Sequence, residues 1–418
     1  MKHLVILGGG TAGTMVANRM AKRLSRKEWQ VTLVDPSGTH LYQPGLLFLP
    51  FGADDEAQDT RDRATTLHDK VVWKQSRVRR VDHAHKRVEL EGADPLPYDL
   101  LVIASGSRIR PDLTEGMMGP AYGDTVHDFY TLPGALALRK ALAKLESGRV
   151  VINIVEMPIK CPVAPLEFAF LADEFFRKKG IRDKVELVYV TPLDGAFTKP
   201  IASKLLGGLL EQKQITVETE FSCGRVDAEQ KKIISWDERE VAYDLLVTIP
   251  THSGAAFIEA SGLGNELGFV PTDPHTLKAR GHDDIFVIGD ATDVPASKAG
   301  SVAHFEAEIL TENLTAIIHG DKPEMTFDGH ANCFVETGNG KALLIDFNYD
   351  VEPLPGSYPL PVVGPFSLLE ESTVNHLGKL AFRWMYWNGL LPGKPIPLPA
   401  QMSMTGKQTT DLATKEQP

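Results

Sequence analysis

The sequence predicts an α/β fold built from two parallel-sheet domains, each made of alternating strands and helices. The first forty residues contain a hydrophobic strand (3–7), a glycine-rich turn, an amphipathic stretch (14–24) and a second strand (31–35). A similar alternation returns between residues 150 and 190. Strands that alternate with helices of this length form parallel sheets with helical crossovers.

The turn after the first strand has the glycine spacing of a dinucleotide-binding, Rossmann-like unit. Gly8 allows a tight turn, Gly10 lets the backbone approach a pyrophosphate, and Gly13 lets the helix pack on the strand. Asp35 ends the second strand, where a ribose hydroxyl needs an acceptor. Free amides at the helix N-terminus would hold the phosphates. An ordinary glycine-rich turn is the alternative interpretation. The predicted dinucleotide site comprises Gly8, Gly10, Thr11, Ala12, Gly13 and Asp35.

Composition excludes several classes of function. The chain has 418 residues, enough for two or three domains, and its formal net charge of -11 argues against a nucleic-acid partner. Its three cysteines are far apart in sequence, which excludes a disulfide scaffold and a cysteine-based zinc site, and we predict no metal. The first strand begins at once, so we expect no signal peptide. No apolar run is long enough to span a bilayer, so membrane contact would be peripheral.

Two later segments return to the first domain. Residues 98–106 read as a buried strand followed by Ala104, Ser105 and Gly106, and residues 284–290 read as a strand that ends in Gly289 and Asp290. Both patterns recur in flavoproteins with two dinucleotide-binding domains, in which the aspartate holds the flavin's ribityl chain. Asp290 has an alternative interpretation as a helix N-cap. FAD is therefore the expected occupant of the first site.

The domain boundaries follow from these segments. We predict a discontinuous FAD-binding domain of residues 1–112 and 245–325, a second Rossmann-like domain of residues 113–244, and a C-terminal region of residues 326–418. The second domain is expected to contain a strand at 150–155, a helix at 166–179 and a strand at 185–190.

The turn of the second domain lacks the glycines that bind a nicotinamide dinucleotide. Residues 156–165 read Glu-Met-Pro-Ile-Lys-Cys-Pro-Val-Ala-Pro, so a pyrophosphate could not approach the backbone closely. Cys161 takes the place of the phosphate, next to Lys160 and before a helix. Helix amides and a lysine lower the pKa of a thiol, so we expect a reactive thiolate here. The alternative is a small buried hydrophobic residue. Cys333 is a second candidate, and Cys223 is interpreted as structural.

These residues resemble the sulfide:quinone oxidoreductases and their relatives, the flavocytochrome c sulfide dehydrogenases, which have the glutathione-reductase type of fold. The resemblance covers nearly the whole chain. It depends on residues 8–13, 160–168, 289–290, 295–300, Cys333 and 376–382.

The resemblance implies that Cys161 and Cys333 face each other beside the flavin and carry sulfur derived from hydrogen sulfide. It also implies that Lys298, in the segment that ends at Gly300, approaches the pyrimidine end of the flavin. Electrons would pass to a membrane quinone, and sulfur would leave as polysulfide or as persulfide on a small thiol.

One departure from the family affects the flavin. Many members carry a third cysteine where this chain has residues 124–130, which contain none, so we expect FAD to bind without a covalent bond. His127 is a candidate proton shuttle because an unperturbed histidine titrates near neutral pH, although an ordinary core or surface histidine is the alternative. Glu167 is a candidate proton relay, and its alternative is a favourable charge at a helix N-terminus.

Residues 376–391 predict an amphipathic helix that contacts a membrane. Leu377, Leu380, Trp384 and Trp387 would form one apolar stripe, accompanied by the cations Lys379 and Arg383. A dimer interface, hence a homo-oligomer, or a core helix is the alternative. We expect peripheral attachment to the lipid bilayer surface, on the cytoplasmic side of the cell membrane, and a polar tail beyond Met402. Candidates for the quinone-binding wall are Phe334, Phe366 and Phe382.

Two other functions remain open at this point. A type II NADH:quinone dehydrogenase shares the fold, FAD and membrane helix, but needs the second glycine fingerprint. A non-enzymatic flavin-binding redox sensor would keep residues 8–13 without needing a quinone site.

Overall fold

A computed structural model of the protein describes residues 1–361, 364–396 and 399–409, and it alternates strands and helices over most of that length. The expected C-terminal region of residues 326–418 therefore extends beyond the described residues from residue 410 onward. The strands are β1 (Lys2–Leu7), β2 (Trp29–Val34), β3 (Thr39–Leu41), β4 (Thr60–Asp62), β5 (Val71–Lys74), β6 (Val78–Asp82), β7 (Arg87–Leu90), β8 (Ala93–Pro97), β9 (Leu100–Ile103), β10 (Arg108–Ile109), β11 (Val126–His127), β12 (Gly148–Ile154), β13 (Val185–Val190), β14 (Ile215–Glu218), β15 (Cys223–Asp227), β16 (Lys232–Ser235), β17 (Glu240–Ala242), β18 (Leu245–Ile249), β19 (His252–Ser253), β20 (Ile285–Val287), β21 (Ala331–Gly338), β22 (Lys341–Phe347), β23 (Gly356–Leu360) and β24 (Gly364–Leu368). The helices are α1 (Thr11–Arg23), α2 (Glu56–Asp59), α3 (Arg63–Thr66), α4 (Leu132–Lys144), α5 (Ala164–Lys178), α6 (Pro200–Gln212), α7 (Ala256–Ala260), α8 (Gly300–His319) and α9 (Thr373–Met385).

The first sheet is parallel and has the strand order β20-β9-β1-β2-β5. Helix α1 joins β1 to β2, as the first forty residues predict. The glycine turn, Asp35 and residues 104–106 follow β1, β2 and β9 at the carboxyl edge of this sheet. Parallel α/β sheets bind ligands at this edge, so the topology brings the predicted cofactor residues together.

The second sheet is also parallel, with the order β11-β18-β12-β13-β14. The predicted strands and helix of this unit differ from β12, α5 and β13 by at most two residues. One boundary needs correction: β18 begins at residue 245, where the sequence pattern predicted a return to the first domain. It belongs to the second sheet because this fully buried strand pairs with β11 and β12.

A third sheet, β21-β22-β24-β23, forms the C-terminal region together with α9, which packs against β21, β22 and β24. The polar tail expected beyond Met402 is not detached over its described part. The side chain of Lys407 is 1% exposed and contacts Asp346 of β22, and Gln408 N donates to Pro355 O at 2.9 Å. Lys407 and the backbone of Gln408 therefore belong to the packed structure.

Helix α9 has the predicted amphipathic character, but the residues on its exposed apolar face differ from those expected. Leu377, Leu380 and Trp384 are exposed, together with Val374. Trp387 is buried, because a π-helical turn over residues 386–390 follows α9 and turns its ring against His40 and Tyr42. The two predicted membrane cations also point inward. Lys379 pairs with Glu167, and Arg383 pairs with Asp54.

Within the residues described, no helix combines the length and the apolar character that crossing a bilayer requires.

Candidate active site

One cavity brings together residues from all three parts of the chain. It is lined by the glycine turn, by Asp35, by residues 104–106 and by Gly289 and Asp290 of the first sheet. The second domain contributes Lys160 and Cys161 from the loop before α5 and Glu167 from α5 itself. Helix α9 contributes Lys379 and Phe382. The remaining predicted cofactor residues in its wall are Gly8, Gly10, Thr11, Ala12, Lys298 and Gly300.

Three glycines of this wall leave room for a ligand. A Cβ atom added to Gly10, Gly106 or Gly300 would meet no protein atom within 4 Å. Gly10 and Gly300 stand at the N-termini of α1 and α8, neither of which has a side-chain cap. Free helix amides and close backbone access suit the phosphates of a dinucleotide. The residues present therefore fit a dinucleotide such as FAD.

The other two fingerprint glycines are required by packing. Gly8 adopts a φ of +103°, and a Cβ on Gly13 would lie 1.9 Å from Gly8 O. The start of α1 consequently lies directly on the turn, as the glycine spacing predicts. A side chain at position 13 would push the helix away from the strand.

Asp35 is held by several groups that the sequence pattern does not reveal. Its carboxylate accepts hydrogen bonds from Gly9 N at 2.6 Å and Ser37 N at 2.8 Å, and Arg63 approaches it at 3.3 Å. Arg63 is buried and also binds Gly9 O, which ties the turn to α3. Asp35 keeps acceptor capacity toward the cavity because a carboxylate has about four lone-pair directions.

A second unpredicted group joins the C-terminal region to the cofactor site. Tyr386 lies in the cavity wall, and its hydroxyl is 2.9 Å from Thr11 Oγ1 and 2.6 Å from His40 Nε2. Burial lowers the pKa of His40 to about 3, so His40 is neutral and shares a hydrogen bond with Tyr386. The aromatic-rich segment around Tyr386 contains no sequence motif that would predict this contact. The contact depends on how the fold brings distant segments together.

Asp290 and Lys298 both line the cavity. Asp290 lies in a short 3-10 turn of residues 289–291, whereas α8 is capped by Ala299, so the interpretation of Asp290 as a helix N-cap is wrong. Lys298 is buried, and its ammonium donates to Asp290 O at 3.0 Å and Thr292 O at 2.6 Å. Burial lowers the pKa of Lys298.

Cys161 lies in the cavity wall, in the loop that precedes α5. Its backbone has a φ of +49°, its N donates to Lys298 O at 2.6 Å, and Tyr130 Oη donates to its carbonyl at 3.3 Å. The turn that in other dinucleotide-binding units carries glycines is thus fastened to the Lys298 segment.

The expected low pKa of Cys161 is wrong. Burial, with Glu167 adding a like charge, raises the pKa of Cys161 well above its usual value, and the same causes raise that of Cys333 to about 11. The backbone amide of Ala164, the first residue of α5, lowers the pKa of Cys161, but burial outweighs this effect. Both cysteines are free thiols, and the charge of Cys333 raises the pKa of Cys161 further.

Lys379 is the group that favours a thiolate at this site. It forms a buried ion pair with Glu167 and donates to Phe334 O at 3.1 Å. Burial works against its ammonium, but the carboxylates of Glu167 and Glu336 outweigh this effect, so the pKa of Lys379 lies above its usual value. Its positive charge lowers the pKa of both cysteines. The sequence pattern assigned Lys379 to the membrane face, because helical spacing alone did not reveal Glu167.

The three phenylalanines predicted for a quinone wall divide into two groups. Phe382 lines the cavity. The rings of Phe334 and Phe366 pack edge to face with centroids 5.1 Å apart. Both rings lie against α9, since a Cβ added to Gly378 would be 2.5 Å from the Phe366 ring. Phe334 and Phe366 thus lie beside the helix, outside the wall of the described cavity.

His127 is not brought to the cavity. It lies in β11 at the edge of the second sheet, where its Nε2 contacts Asp124 O at 2.7 Å. Burial lowers its pKa, so the ring is neutral near pH 7. The structure therefore gives it the position of a core histidine. Cys223, interpreted as structural, is buried in β15.

The chain is similar to several proteins of known activity. Residues 2–307 match the family model described as pyridine nucleotide-disulphide oxidoreductase. Among curated relatives, the mitochondrial sulfide:quinone oxidoreductase of Mus musculus is 25% identical over 94% of this chain and 86% of its own length. The mitochondrial sulfide:quinone oxidoreductase of Schizosaccharomyces pombe is 26% identical over 92% of this chain and 89% of its own length.

A solved structure extends the similarity to the fold. The sulfide:quinone oxidoreductase of the hyperthermophilic bacterium Aquifex aeolicus superposes with a TM-score of 0.78 at 20% identity, over 93% of this chain and 92% of that one. The resemblance drawn from the sequence motifs is confirmed by these similarities. With a family model that covers most of its length, the chain belongs to the pyridine nucleotide-disulphide oxidoreductase family.

Proposed function

We propose that this protein oxidises hydrogen sulfide and transfers two electrons through FAD to a membrane quinone. The observation that carries the proposal is the cavity whose wall contains both the dinucleotide-binding turn and Cys161. The similarity to sulfide:quinone oxidoreductases over most of the chain supports the same activity. The turn of residues 156–165 lacks glycine, which disfavours an NADH:quinone dehydrogenase.

The glycine turn, Asp35, residues 104–106, Asp290 and the start of α8 would hold FAD. When bound, FAD would accept two electrons, and a quinone would reoxidise it. Lys298 would bring its buried amino group, held by Asp290 O and Thr292 O, to the cavity wall beside the cofactor. We propose non-covalent binding, because the segment of residues 124–130 contains no cysteine. Acid precipitation should then release FAD into the supernatant, whereas flavin retained in the pellet would contradict this part of the proposal.

Cys161 and Cys333 would hold the sulfur. In the oxidised form their sulfurs are joined directly or through sulfane sulfur. Hydrosulfide attacks one sulfur, forms a new S–S bond and breaks the bridge, which leaves a persulfide on one cysteine and a thiolate on the other. Lys379 stabilises that thiolate, because its ammonium lowers the pKa of both cysteines. A second hydrosulfide or a small thiolate then attacks the outer sulfur, breaks its bond to the cysteine, and carries that sulfur away as polysulfide or as persulfide on the small thiol. Both cysteines are left as thiols or thiolates. Their bridge would re-form with bound FAD as the acceptor of the two electrons.

The exposed face of α9 is our candidate for membrane attachment. Val374, Leu377, Leu380 and Trp384 form an apolar stripe at helical spacing on the outside of the protein. Phe382, on the opposite side of the same helix, lines the cavity. Attachment through this stripe would place the cavity wall close to the bilayer that contains the quinone. We also propose that the protein attaches to the cytoplasmic side of the membrane, which protease protection on oriented vesicles would test. We further propose a homo-oligomer, which sedimentation would test.

Anaerobic mixing of the flavin-loaded protein with sulfide or with NADH tests the function. Sulfide should bleach the flavin absorbance and a soluble quinone should restore it, while NADH should leave it unchanged. Bleaching by NADH alone would favour the type II dehydrogenase, and bleaching by neither donor would favour a flavin-binding redox sensor.

A further inference from the structure

Four titratable side chains lie between the two cysteines and the outer surface of the C-terminal region, those of Glu167, Lys379, Glu336 and His376. Glu167, whose charge acts on both thiols, accepts hydrogen bonds from Lys379 and from Glu336 N, the latter at 2.7 Å. Both carboxylate oxygens of Glu336 lie 3.0 Å from His376 Nδ1. His376 and Lys379 are three residues apart on α9 and therefore project from the same side of the helix.

Exposure changes across these four side chains from inside to outside. The side chains of Glu167 and Glu336 are each 1% exposed, Lys379 is 13% exposed, and His376 is 23% exposed. Two buried carboxylates beside one ammonium are unfavourable for folding stability, because apolar residues of the same volume would avoid the loss of hydration of the charges. A chemical role explains why titratable groups occupy this position.

The proton balance of the proposed reaction requires such a role, and the inference rests on that proposed function. Oxidation of hydrosulfide to sulfane sulfur yields two electrons and one proton. Reduction of a quinone to the quinol consumes two electrons and two protons. One proton per turnover must therefore come from solvent and reach the reduced flavin and the quinone.

We propose that His376 and Glu336 carry this proton from solvent to the Lys379–Glu167 pair in the cavity wall. His376 is the partly exposed entry group, and Glu336 accepts the proton from its Nδ1. The Glu336 carboxylate acts on Lys379 through its charge, and a water molecule between the two would carry the proton onward. Burial raises the pKa of Glu336, with the charge of Glu174 on α5 adding to the effect, while Lys379 and His376 oppose it. The raised pKa helps Glu336 to accept the proton that His376 donates. His376 and Glu336 act through Lys379 and Glu167 and do not themselves line the cavity.

The test compares His376→Ala and Glu336→Gln with His319→Ala, which removes an exposed histidine at the end of α8. Flavin is reduced anaerobically and mixed with a soluble quinone, and the reoxidation rate is followed by absorbance. Reoxidation should slow by about tenfold or more in the first two variants and stay at the wild-type rate in the third. Added imidazole should restore His376→Ala and leave Glu336→Gln slow.

Two further measurements separate the possible failures. Flavin reduced with dithionite instead of sulfide enters the same assay, so the proton path is tested even if sulfide does not reduce the protein. Circular dichroism and flavin content show whether each variant folds. Unchanged reoxidation and an unchanged pH profile in both variants would overturn the path. A folded, flavin-loaded His376→Ala that is slow and insensitive to imidazole would also overturn it, because that result indicates a structural role.

Discussion

Trp384 and Trp387 are three positions apart in the sequence, yet Trp384 is 71% exposed and Trp387 is 5% exposed. Helix α9 ends at Met385, and the π-helical turn that follows directs Trp387 onto His40 and Tyr42. Arg61 lies 4.4 Å from the centroid of the Trp387 ring and completes its surroundings. One tryptophan is thus available to a membrane, while the other belongs to the packing between α9 and the first domain.

Substitution of these two residues should have opposite consequences. Trp384→Glu places a charge on the exposed stripe, so liposome binding should fall while the melting temperature stays near that of the wild type. Trp387→Glu buries a charge and should lower the stability by several kcal/mol. Flotation with liposomes and thermal unfolding measure the two effects. Full liposome binding by Trp384→Glu would require withdrawal of the membrane assignment.

The cysteines provide a prediction for the sulfur chemistry. Cys161→Ser and Cys333→Ser should each abolish sulfide-dependent bleaching of the flavin, because a single thiol cannot form and break the sulfur bridge. Cys223→Ser is the matched control, since Cys223 is buried in β15 away from the cavity wall and should retain bleaching. Anaerobic stopped-flow absorbance measures the rates. Equal activity in all three variants would refute the role of the pair.

The fingerprint glycines should separate cofactor binding from folding. Gly10→Val extends into open space in the cavity, so the protein should fold with a normal melting temperature but retain much less flavin. Gly13→Val would collide with Gly8 O and should destabilise the fold by several kcal/mol. Flavin content after gel filtration and thermal unfolding distinguish the two. Wild-type flavin content in Gly10→Val would show that the ligand does not occupy this space.

Removal of the Lys379 charge should change the reactivity of the thiols. The ammonium lowers the pKa of Cys161 and Cys333, so Lys379→Met should raise both pKa values further. At a fixed pH below those values, the thiolate fraction should fall about tenfold each time the thiol pKa rises by one. Alkylation by iodoacetamide, followed across a pH series, measures the change. Lys341→Met, at an exposed position of β22, should leave the alkylation profile in place.

Asp59 predicts a pH dependence of stability. Its carboxyl is fully buried at the end of α2, and burial with the nearby charge of Asp54 raises its pKa to about 7, although Arg383 opposes the shift. The folded state therefore binds this proton more tightly than the unfolded state. The resulting stabilisation is complete below the ordinary aspartate pKa of about 4 and is lost as the pH rises through about 7.

Asp59→Asn should consequently gain stability relative to the wild type as the pH is raised across that interval, on the order of a few kcal/mol. Urea unfolding at the two ends of the interval measures the difference. Asp69→Asn, at a site with a side chain 79% exposed, should follow the wild-type pH profile. A constant difference between Asp59→Asn and the wild type across the interval would show that Asp59 does not titrate there.

Local sequence patterns predicted the elements of the fold and part of the site. The first βαβ unit and the strands and helix of the second follow from periodicity and glycine spacing, because neighbouring residues determine whether a segment becomes a strand, a turn or a helix. The cavity-lining positions of Gly10, Asp35, Asp290 and Cys161 could be predicted for the same reason, since each closely follows a strand at the carboxyl edge of a parallel sheet.

Contacts between distant segments lay beyond that reasoning. Glu167 and Lys379 are 212 residues apart, so helical spacing alone assigned Lys379 to the membrane face. Arg63 and Tyr386 likewise reach the cofactor site from elements whose sequences contain no motif. The pKa of Cys161 was wrongly expected to be low because the sequence revealed a nearby helix but not the depth of burial.

The sequence by itself determined the fold class, the dinucleotide turn and the family, because these depend on residue order within short segments. Only the tertiary structure decided which charges are paired, which tryptophan faces outward and how the thiols ionise. Those properties depend on how deeply each group is buried from water and on the charged or hydrogen-bonding partners that distant segments supply. Local residue spacing reveals neither the burial nor the partners.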